Sequence, residues 1–222
     1  MYLREKEREQ LYSWTNALGI QLSAYEENLL SIYLDELLEW NRKMNLTGIS
    51  CRKRIIKELL LDSLISSYSL PDTGRLLDVG SGAGFPGIPI KLCKPGLEIH
   101  LMEPNSKKVN FLRQVIRLMH LTDIKVTRGR IDMDAGTLYH EGYHIITARA
   151  VGPLPTIIPW LAPHLKPKGI MINFQGEEFK TVLEESEKEM EKTGLCFHKS
   201  ISYKLPESEL SRHLLVFIKQ SD

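Results

Sequence analysis

The sequence has little cysteine and almost no net charge. Its three cysteines, Cys51, Cys93 and Cys196, are scattered and lack CxxC spacing, so we expect neither a disulfide framework nor a zinc site. Lys and Arg number 29 and Asp and Glu 28, which excludes an overall basic field for nucleic acid. Any surface for nucleic acid must therefore be a local patch. The seven histidines show no metal-ligand spacing, and no metal is predicted.

Long apolar runs, internal repeats and low-complexity tracts are also missing. No stretch approaches the roughly 20 apolar residues of a membrane helix, and the opening MYLREKEREQ is too charged for a secretory signal. We therefore expect a cytoplasmic protein without a membrane partner, and we expect a monomer. The 222 residues are 42% apolar and 26% charged, which is typical of a globular chain with one main core.

The first 70 residues have a helical pattern. Ser23 and Glu26 form a capping box at a helix start, and leucines then recur at helical spacing up to Leu38. A second helix is predicted over 53–67. The turn at 71–74, PDTG, is the best boundary, so we predict a helical region at 1–70 and a second domain at 71–222.

The second domain alternates strands with helices. Strands are predicted over 75–79, 99–102, 124–126, 144–147 and 169–174, and helices between them imply a parallel sheet covered on both faces. The strand-like segments 197–205 and 213–219 have only a short link between them, so they should pair antiparallel. This α/β order, a mostly parallel Rossmann-like sheet ending in an antiparallel hairpin, is the plan of AdoMet-dependent methyltransferases.

Three glycines at alternate positions follow the first strand. In the stretch 76–90, LLDVGSGAGFPGIPI, they are Gly80, Gly82 and Gly84. Open α/β sheets bind ligands outside the carboxyl ends of their strands, and glycine permits positive φ and a close approach of a ligand. A tight turn needs only one such residue, so the pattern favours a binding loop.

Two ligand classes remain open for this loop. Residues 82–87 match GxGxxG, which keeps an NAD-dependent dehydrogenase as an alternative. Asp78 favours a ligand with a cationic amino group, and Pro86 and Pro89 leave little room for free helix N–H groups directed at a pyrophosphate. S-adenosylmethionine fits both features. Glu103, at the end of the second strand, is predicted to accept hydrogen bonds from ribose hydroxyls in either case.

Several segments together resemble one family. They are MNLTGI at 44–49, LLLDSL at 59–64, the glycine loop, KKVNFLRQV at 107–115, ITARAVGPL at 146–154 and RHLLVFIK at 212–219. The chain resembles, over almost its whole length, the 16S ribosomal RNA guanine-N7 methyltransferases, also called small-subunit methyltransferase G or glucose-inhibited division protein B. The resemblance implies S-adenosylmethionine as cofactor and 16S ribosomal RNA or the small ribosomal subunit as partner.

The resemblance also implies cofactor contacts, among them Arg149, for which the residues alone give no reason. Ile131 is predicted as an apolar wall for the adenine and Asp132 as the acceptor for its amino group. The predicted cofactor-binding residues are Asp78, Gly80, Ser81, Gly82, Gly84, Phe85, Glu103, Arg130, Ile131, Asp132 and Arg149.

Guanine N7 carries a free lone pair, so no general base is required and catalysis should be mainly positioning. Asn45 and Arg149 are the candidates for this role, although Asn45 is equally compatible with capping a helix end. Phe85 is predicted either as a wedge for an unstacked base or as a lid on the cofactor. The predicted RNA-binding residues are Arg52, Lys53, Arg54, Lys107, Lys108, Arg128 and Arg212.

The sequence departs from this family at three sites. The proline that follows Ala150 in ARAVGPL is a local variation, and the other two departures concern charge. Glu58 and Leu59 stand where an Arg-His pair is usual, and Gln175 replaces the usual lysine before Gly176. Both changes remove positive charge from places expected to face RNA. An AdoMet-binding protein of the same fold that has lost or changed its RNA methylation therefore remains the alternative function.

Overall fold

The structure, a computed structural model, describes residues 5–221 and contains seven strands and eight α-helices in that range. The strands are β1 (Gly74–Val79), β2 (Leu97–Glu103), β3 (Ile124–Arg128), β4 (Tyr143–Ala148), β5 (Leu165–Gln175), β6 (Leu195–Lys204) and β7 (Ser211–Lys219). The α-helices are α1 (Glu5–Ala17), α2 (Ala24–Met44), α3 (Arg52–Ile55), α4 (Asp62–Ser67), α5 (Gly87–Cys93), α6 (Ser106–Leu118), α7 (Leu154–Leu161) and α8 (Phe179–Thr193).

One sheet contains all seven strands, in the order β3-β2-β1-β4-β5-β7-β6. The first five strands are parallel, and β7 lies antiparallel between β5 and β6. The predicted hairpin at the end of the chain is therefore confirmed. The strand order reverses at β1, because β2 and β4 lie on its two sides, and such a switch point is where open α/β sheets bind ligands.

The predicted helical stretch at 53–67 is confirmed, since the chain is helical from Arg52 to Ser67, but its middle is not an α-helix. Between α3 and α4 the chain forms a π-helix, Ile56–Leu61, in which the wider turn changes the directions of the backbone carbonyls. Arg149, from outside the helix, binds two of them: its Nη2 donates to Glu58 O at 2.7 Å, and its Nη1 donates to Leu59 O at 3.4 Å. A periodicity of apolar residues cannot distinguish this wider turn from an α-helix.

The N-terminal helices share a hydrophobic core with the sheet. Tyr33 of α2 lies with its ring centroid 5.2 Å from that of Phe85 and 6.3 Å from that of Phe111. The Tyr33 hydroxyl donates to the carbonyl of Ala83 at 2.6 Å, inside the glycine loop. Helix α2 begins with the predicted capping box, in which Glu26 N donates to Ser23 Oγ at 3.2 Å. The division at residues 70 and 71 stays a prediction.

Candidate active site

The glycine loop connects β1 to α5 and has positive φ at all three predicted glycines: +65° at Gly80, +60° at Gly82 and +100° at Gly84. L-residues rarely adopt this conformation, which explains the glycines. Ser81 is buried and its hydroxyl donates to the carbonyl of Asp78 at 2.8 Å. The loop is thus fixed in a conformation that turns the chain sharply after the strand.

Asp78 lies beneath this loop, fully buried. Its Oδ1 accepts a hydrogen bond from Thr147 Oγ1 at 2.8 Å and its Oδ2 accepts one from Gly87 N at 3.1 Å. Burial raises the pKa of the Asp78 carboxyl to about 7, and the hydrogen bonds from Thr147 and Gly87 limit the rise. In this position Asp78 joins β1, β4 and α5 below the loop.

A cavity of about 290 Å³, here called the first cavity, opens at the carboxyl ends of β1 and β2. Its lining consists of Val79, Gly80, Gly82, Met102, Glu103, Pro104, Lys108, Gly129, Arg130, Ile131, Asp132, Ala150, Val151 and Trp160. Six of the predicted cofactor-binding residues are therefore brought together there: Gly80, Gly82, Glu103, Arg130, Ile131 and Asp132. Asp78, Ser81, Gly84 and Phe85 do not line it, and Phe85 packs on Tyr33 instead.

Two features of the first cavity suit a nucleoside. A Cβ at Gly80 would lie 3.0 Å from Val151 Cγ2, closer than most side-chain contacts, so the absence of a side chain helps these two walls to lie close together. Glu103 is buried, and its carboxylate accepts hydrogen bonds from Gly82 N at 2.8 Å and Asn105 N at 3.0 Å. Each carboxylate oxygen keeps a further lone pair for a ligand hydroxyl.

The opposite wall comes from the segment after β3. Ile131 is buried there, and Arg130 holds Asp132 through hydrogen bonds of 3.1 Å from Nε and 2.9 Å from Nη2. The hydrogen bond from Arg130 lowers the pKa of the Asp132 carboxyl, which keeps it ionised and an acceptor at neutral pH. Sequence reasoning missed Trp160 of α7 and Met102 of β2 in this cavity, because neither carries a local motif.

A second cavity of about 670 Å³ adjoins the first, since Ala150 lines both. Its lining consists of Asp62, Arg149, Ala150, Phe174, Gln175, Gly176, Glu177, Glu178, Val182, Tyr203, Leu210, Ser211 and Arg212. Ala150 has a φ of +53°, which is rare for a residue with a Cβ. The structure thus places Arg149 in the second cavity, apart from the six residues of the first.

A buried carboxylate organises the second cavity. Asp62, whose side chain is 2% exposed, lies 3.2 Å from Arg149 Nη2 and 3.0 Å from Arg212 Nη1. The Tyr203 hydroxyl donates to Asp62 Oδ1 at 2.5 Å, and burial together with this carboxylate raises the pKa of Tyr203. Asp62 belongs to the LLLDSL segment, but no local pattern indicates that it meets residues 87 to 150 positions away.

The predicted RNA-binding residues fall into three places. Arg52, Lys53 and Arg54 of α3 form ion pairs within the chain: Arg52 with Asp35 and Glu7, Lys53 with Glu207, and Arg54 with Glu58. Arg212 lines the second cavity.

Lys107, Lys108 and Arg128 lie near the mouth of the first cavity. Asn105 caps α6 there, and its Oδ1 accepts a hydrogen bond from Lys107 N at 2.9 Å. Arg128 Nε donates to the carbonyl of Pro104 at 3.3 Å. Within residues 5–221 none of these three side chains forms an ion pair, so their charges remain available to an anionic partner.

Asn45 lines neither cavity. It is the C-terminal cap of α2, with a φ of +47° and its N–H donating to Asn41 O at 3.1 Å. This geometry gives Asn45 the capping role, and a role in catalysis stays a prediction.

The described residues offer neither a membrane-spanning helix nor a cluster of metal ligands. No helix within 5–221 is long and apolar enough to cross a membrane. The same range contains no group of three or more His, Cys, Asp or Glu side chains placed to hold a metal ion.

The sequence is similar to one named family along most of its length. The profile of the family described as "GidB: rRNA small subunit methyltransferase G" matches residues 26–215. The ribosomal RNA small subunit methyltransferase G of Lachnoclostridium phytofermentans is 35% identical over 206 residues, which cover 91% of this chain and 85% of that protein. The protein of the same name from Alkaliphilus oremlandii is 36% identical over 205 residues, with coverage of 91% and 86%.

Solved structures of more distant proteins share the fold. A methyltransferase from Pyrococcus furiosus superimposes with a TM-score of 0.61 at 14% identity, covering 86% of this chain and 98% of that one. M. jannaschii TYW2 in complex with AdoMet gives a TM-score of 0.58 at 16% identity, covering 77% of each chain. The predicted Rossmann-like methyltransferase fold is therefore confirmed.

Proposed function

Because the chain belongs to the rRNA small subunit methyltransferase G family, we propose that it transfers a methyl group from S-adenosylmethionine to N7 of a guanine in 16S ribosomal RNA. The observation that carries the proposal is the first cavity. It lies at the switch point of the sheet, and its walls combine the glycine loop with Glu103, Ile131 and Asp132.

The residues of the first cavity suit the parts of S-adenosylmethionine. Gly80 and Gly82 present backbone without side chains, Glu103 offers lone pairs to the ribose hydroxyls, and Ile131 with Asp132 supplies an apolar wall and an acceptor for the adenine. Asp78 and Arg149 lie outside this lining. Contacts of the cofactor with Asp78 and Arg149 therefore require a ligand that extends beyond the first cavity, or water molecules that bridge the two.

When bound, S-adenosylmethionine supplies an electrophilic methyl group on a sulfonium cation. Guanine N7 has an available lone pair, so the protein has no proton to remove. Its task is to hold the two reactants in line and to exclude water. The acidic side chains of Glu103 and Asp132 favour a cationic ligand in the first cavity. The base that accepts the methyl group must be unstacked from its neighbours.

Ribosomal RNA is the proposed partner, either free or in the small subunit. Lys107, Lys108 and Arg128 are the best phosphate contacts near the first cavity, since none of the three forms an ion pair within the described residues. Arg52, Lys53 and Arg54 are weaker candidates, because acidic residues of the same chain already neutralise them. We also propose that the protein acts in the cytoplasm as a monomer.

Isothermal titration calorimetry tests the ligand. The protein should bind S-adenosylmethionine or S-adenosylhomocysteine at one site and should not bind NADH. Binding of NADH without binding of S-adenosylmethionine would favour the dehydrogenase alternative. Transfer of a tritiated methyl group to unmodified 16S RNA or small subunits would then separate an active enzyme from a protein that only binds the cofactor.

A further inference from the structure

We propose that Tyr33 of α2 is a positioning residue for the cofactor, because its hydroxyl fixes the glycine loop in the conformation that forms one wall of the first cavity. This inference rests on the proposed function for the identity of the ligand. It makes the N-terminal helices part of the cofactor site, although Tyr33 itself lines neither cavity.

The Tyr33 side chain is fully buried and held in one position. Its ring packs against Phe85 and Phe111, with centroid distances of 5.2 Å and 6.3 Å, and its hydroxyl donates to the carbonyl of Ala83 at 2.6 Å. Burial raises the pKa of this hydroxyl, and the nearby Asp78 carboxyl raises it further. Tyr33 therefore keeps its proton at neutral pH and remains a hydrogen-bond donor.

One peptide unit of the glycine loop, between Ala83 and Gly84, is held at both of its polar groups. The N–H of Gly84 donates to the carbonyl of Ser81 at 2.7 Å, and the carbonyl of Ala83 accepts from Tyr33. Ala83 is buried, and among the described residues no other group donates to its carbonyl. A buried carbonyl without a donor is costly, so loss of the Tyr33 hydroxyl would favour a rotated peptide.

This contact also accounts for Gly84, the third glycine of the loop, which does not line the first cavity. A Cβ at Gly84 would lie 3.0 Å from the Tyr33 hydroxyl oxygen and 2.5 Å from Ile88 Cδ1, so glycine lets Tyr33 approach the loop. Glycine also rotates easily about its backbone bonds. The same residue that admits Tyr33 would therefore let the peptide rotate once the hydrogen bond is lost.

The held peptide directly follows Gly82, which lines the first cavity. The N–H of Gly82 donates to Glu103 Oε2 at 2.8 Å, and the N–H of Ser81 donates to the carbonyl of Met102 at 3.1 Å. The loop is thus anchored to β2 on one side and to α2, through Tyr33, on the other. A rotated peptide would reduce the fraction of molecules with a binding-competent loop, and the observed Kd rises in inverse proportion to that fraction.

The variant Tyr33→Phe removes the hydroxyl and keeps the ring, so it tests the hydrogen bond alone. Calorimetry with S-adenosylhomocysteine should give a Kd that is at least about fivefold higher than that of the wild type. Tyr143→Phe is the matched control, because Tyr143 is equally buried and its hydroxyl contacts His100 and not the glycine loop. This control should keep the Kd within about twofold of the wild type, and thermal unfolding shows whether each variant is folded.

Hydrogen exchange, measured by NMR on the cofactor-free protein, separates positioning from a general loss of stability. The amides of Gly84 and Phe85 both donate to the carbonyl of Ser81 inside the loop, at 2.7 Å and 3.1 Å. In Tyr33→Phe these two amides should exchange at least about tenfold faster than in Tyr143→Phe, whereas the amides of β1 should exchange alike in both variants. A merely structural role of Tyr33 would speed exchange in β1 and in the loop together.

An unchanged Kd in Tyr33→Phe would overturn the positioning role, and so would unchanged exchange of the two loop amides. Equal rises of the Kd in the two tyrosine variants would also overturn it, because the effect would then be one of general stability. The proposed function fails by a different result, namely the absence of methyl transfer to 16S RNA by a wild-type protein that binds the cofactor.

Discussion

At Gly80, the addition of one methyl group should weaken ligand binding as well as strain the backbone. Gly80→Ala places a Cβ at a φ of +65° and 3.0 Å from Val151 Cγ2, inside the first cavity. We expect the Kd for S-adenosylmethionine to rise at least tenfold, the equivalent of about 1.4 kcal/mol. Calorimetry measures this directly.

Gly19→Ala is the matched control for Gly80→Ala. Gly19 has a similar φ of +73°, and a Cβ there meets nothing within 4 Å. The Gly19→Ala variant should lower the free energy of unfolding by about 1–2 kcal/mol because of the left-handed backbone alone. It should leave the cofactor Kd unchanged. Equal cofactor affinities of the two variants would contradict the role of Gly80.

Asp78 should make the stability of the fold depend on pH. Its pKa in the folded state is about 7, raised by burial, whereas the unfolded value is about 3.9. The folded state therefore binds the proton more tightly, so this contribution is complete below pH 4 and is lost as the pH rises through 7. The loss amounts to roughly 3–4 kcal/mol.

Urea unfolding between pH 4.5 and pH 7.5 tests this effect in Asp78→Asn. The amide keeps an acceptor for Gly87 N and a donor for Thr147, so the variant should fold and lack this fall in the free energy of unfolding. Asp72→Asn, at a carboxylate whose side chain is 86% exposed, should follow the wild type. Parallel pH profiles for wild type and Asp78→Asn would count against the buried, protonated carboxyl.

At the scale of elements, the capping box of α2 gives a local prediction. Ser23→Ala removes the acceptor for Glu26 N and should lower the free energy of unfolding by about 1 kcal/mol. Ser50→Ala changes an exposed serine that caps no helix, and should stay within about 0.5 kcal/mol of the wild type. Chemical denaturation measures the free energy of unfolding of both variants. Equal values would contradict the stabilising role of the cap.

The π-helix provides Arg149 with contacts that do not depend on the side chains at positions 58 and 59. Arg149 binds the backbone carbonyls of Glu58 and Leu59, which any side chain at these positions provides. The side chain of Glu58 contacts Arg54 instead, and Arg54 Nε donates a hydrogen bond to Glu58 Oε1 at 2.8 Å. The identity of the side chains at these two positions therefore does not affect the acceptors that hold Arg149.

At the scale of the whole molecule, the shared core predicts one cooperative transition. Leu11, Tyr33 and Leu60 from the N-terminal helices belong to the same buried cluster as Ile99 and Phe111 from the α/β region. Neither region can therefore unfold without exposing the core of the other.

The tryptophans report the two regions separately. Trp14 and Trp40 lie in the N-terminal helices and Trp160 lies in α7. The variant Trp160→Phe keeps only the N-terminal tryptophans, and the double variant Trp14→Phe/Trp40→Phe keeps only Trp160. In each variant, the thermal midpoint from fluorescence should agree with that from far-UV circular dichroism within about 2 °C. This difference is no larger than the shift that 1 kcal/mol usually produces. Two separated transitions would contradict the single core.

Sequence reasoning reached the fold and the first cavity because both depend on local signals. The glycine loop and Ile131 follow strand ends, Glu103 ends a strand, and the ends of parallel strands meet at one edge of a sheet. The second cavity depends on contacts between Asp62, Arg149 and Arg212. Such contacts between distant segments arise from packing and leave no spacing in the sequence.

The measurement that tests the central claim most directly is mass-spectrometric mapping of methylated guanines in 16S RNA from cells with and without this gene. One N7-methylguanine should disappear when the gene is removed and return when the wild-type gene is restored. An identical set of methylated guanines in both cell lines would contradict the proposed function.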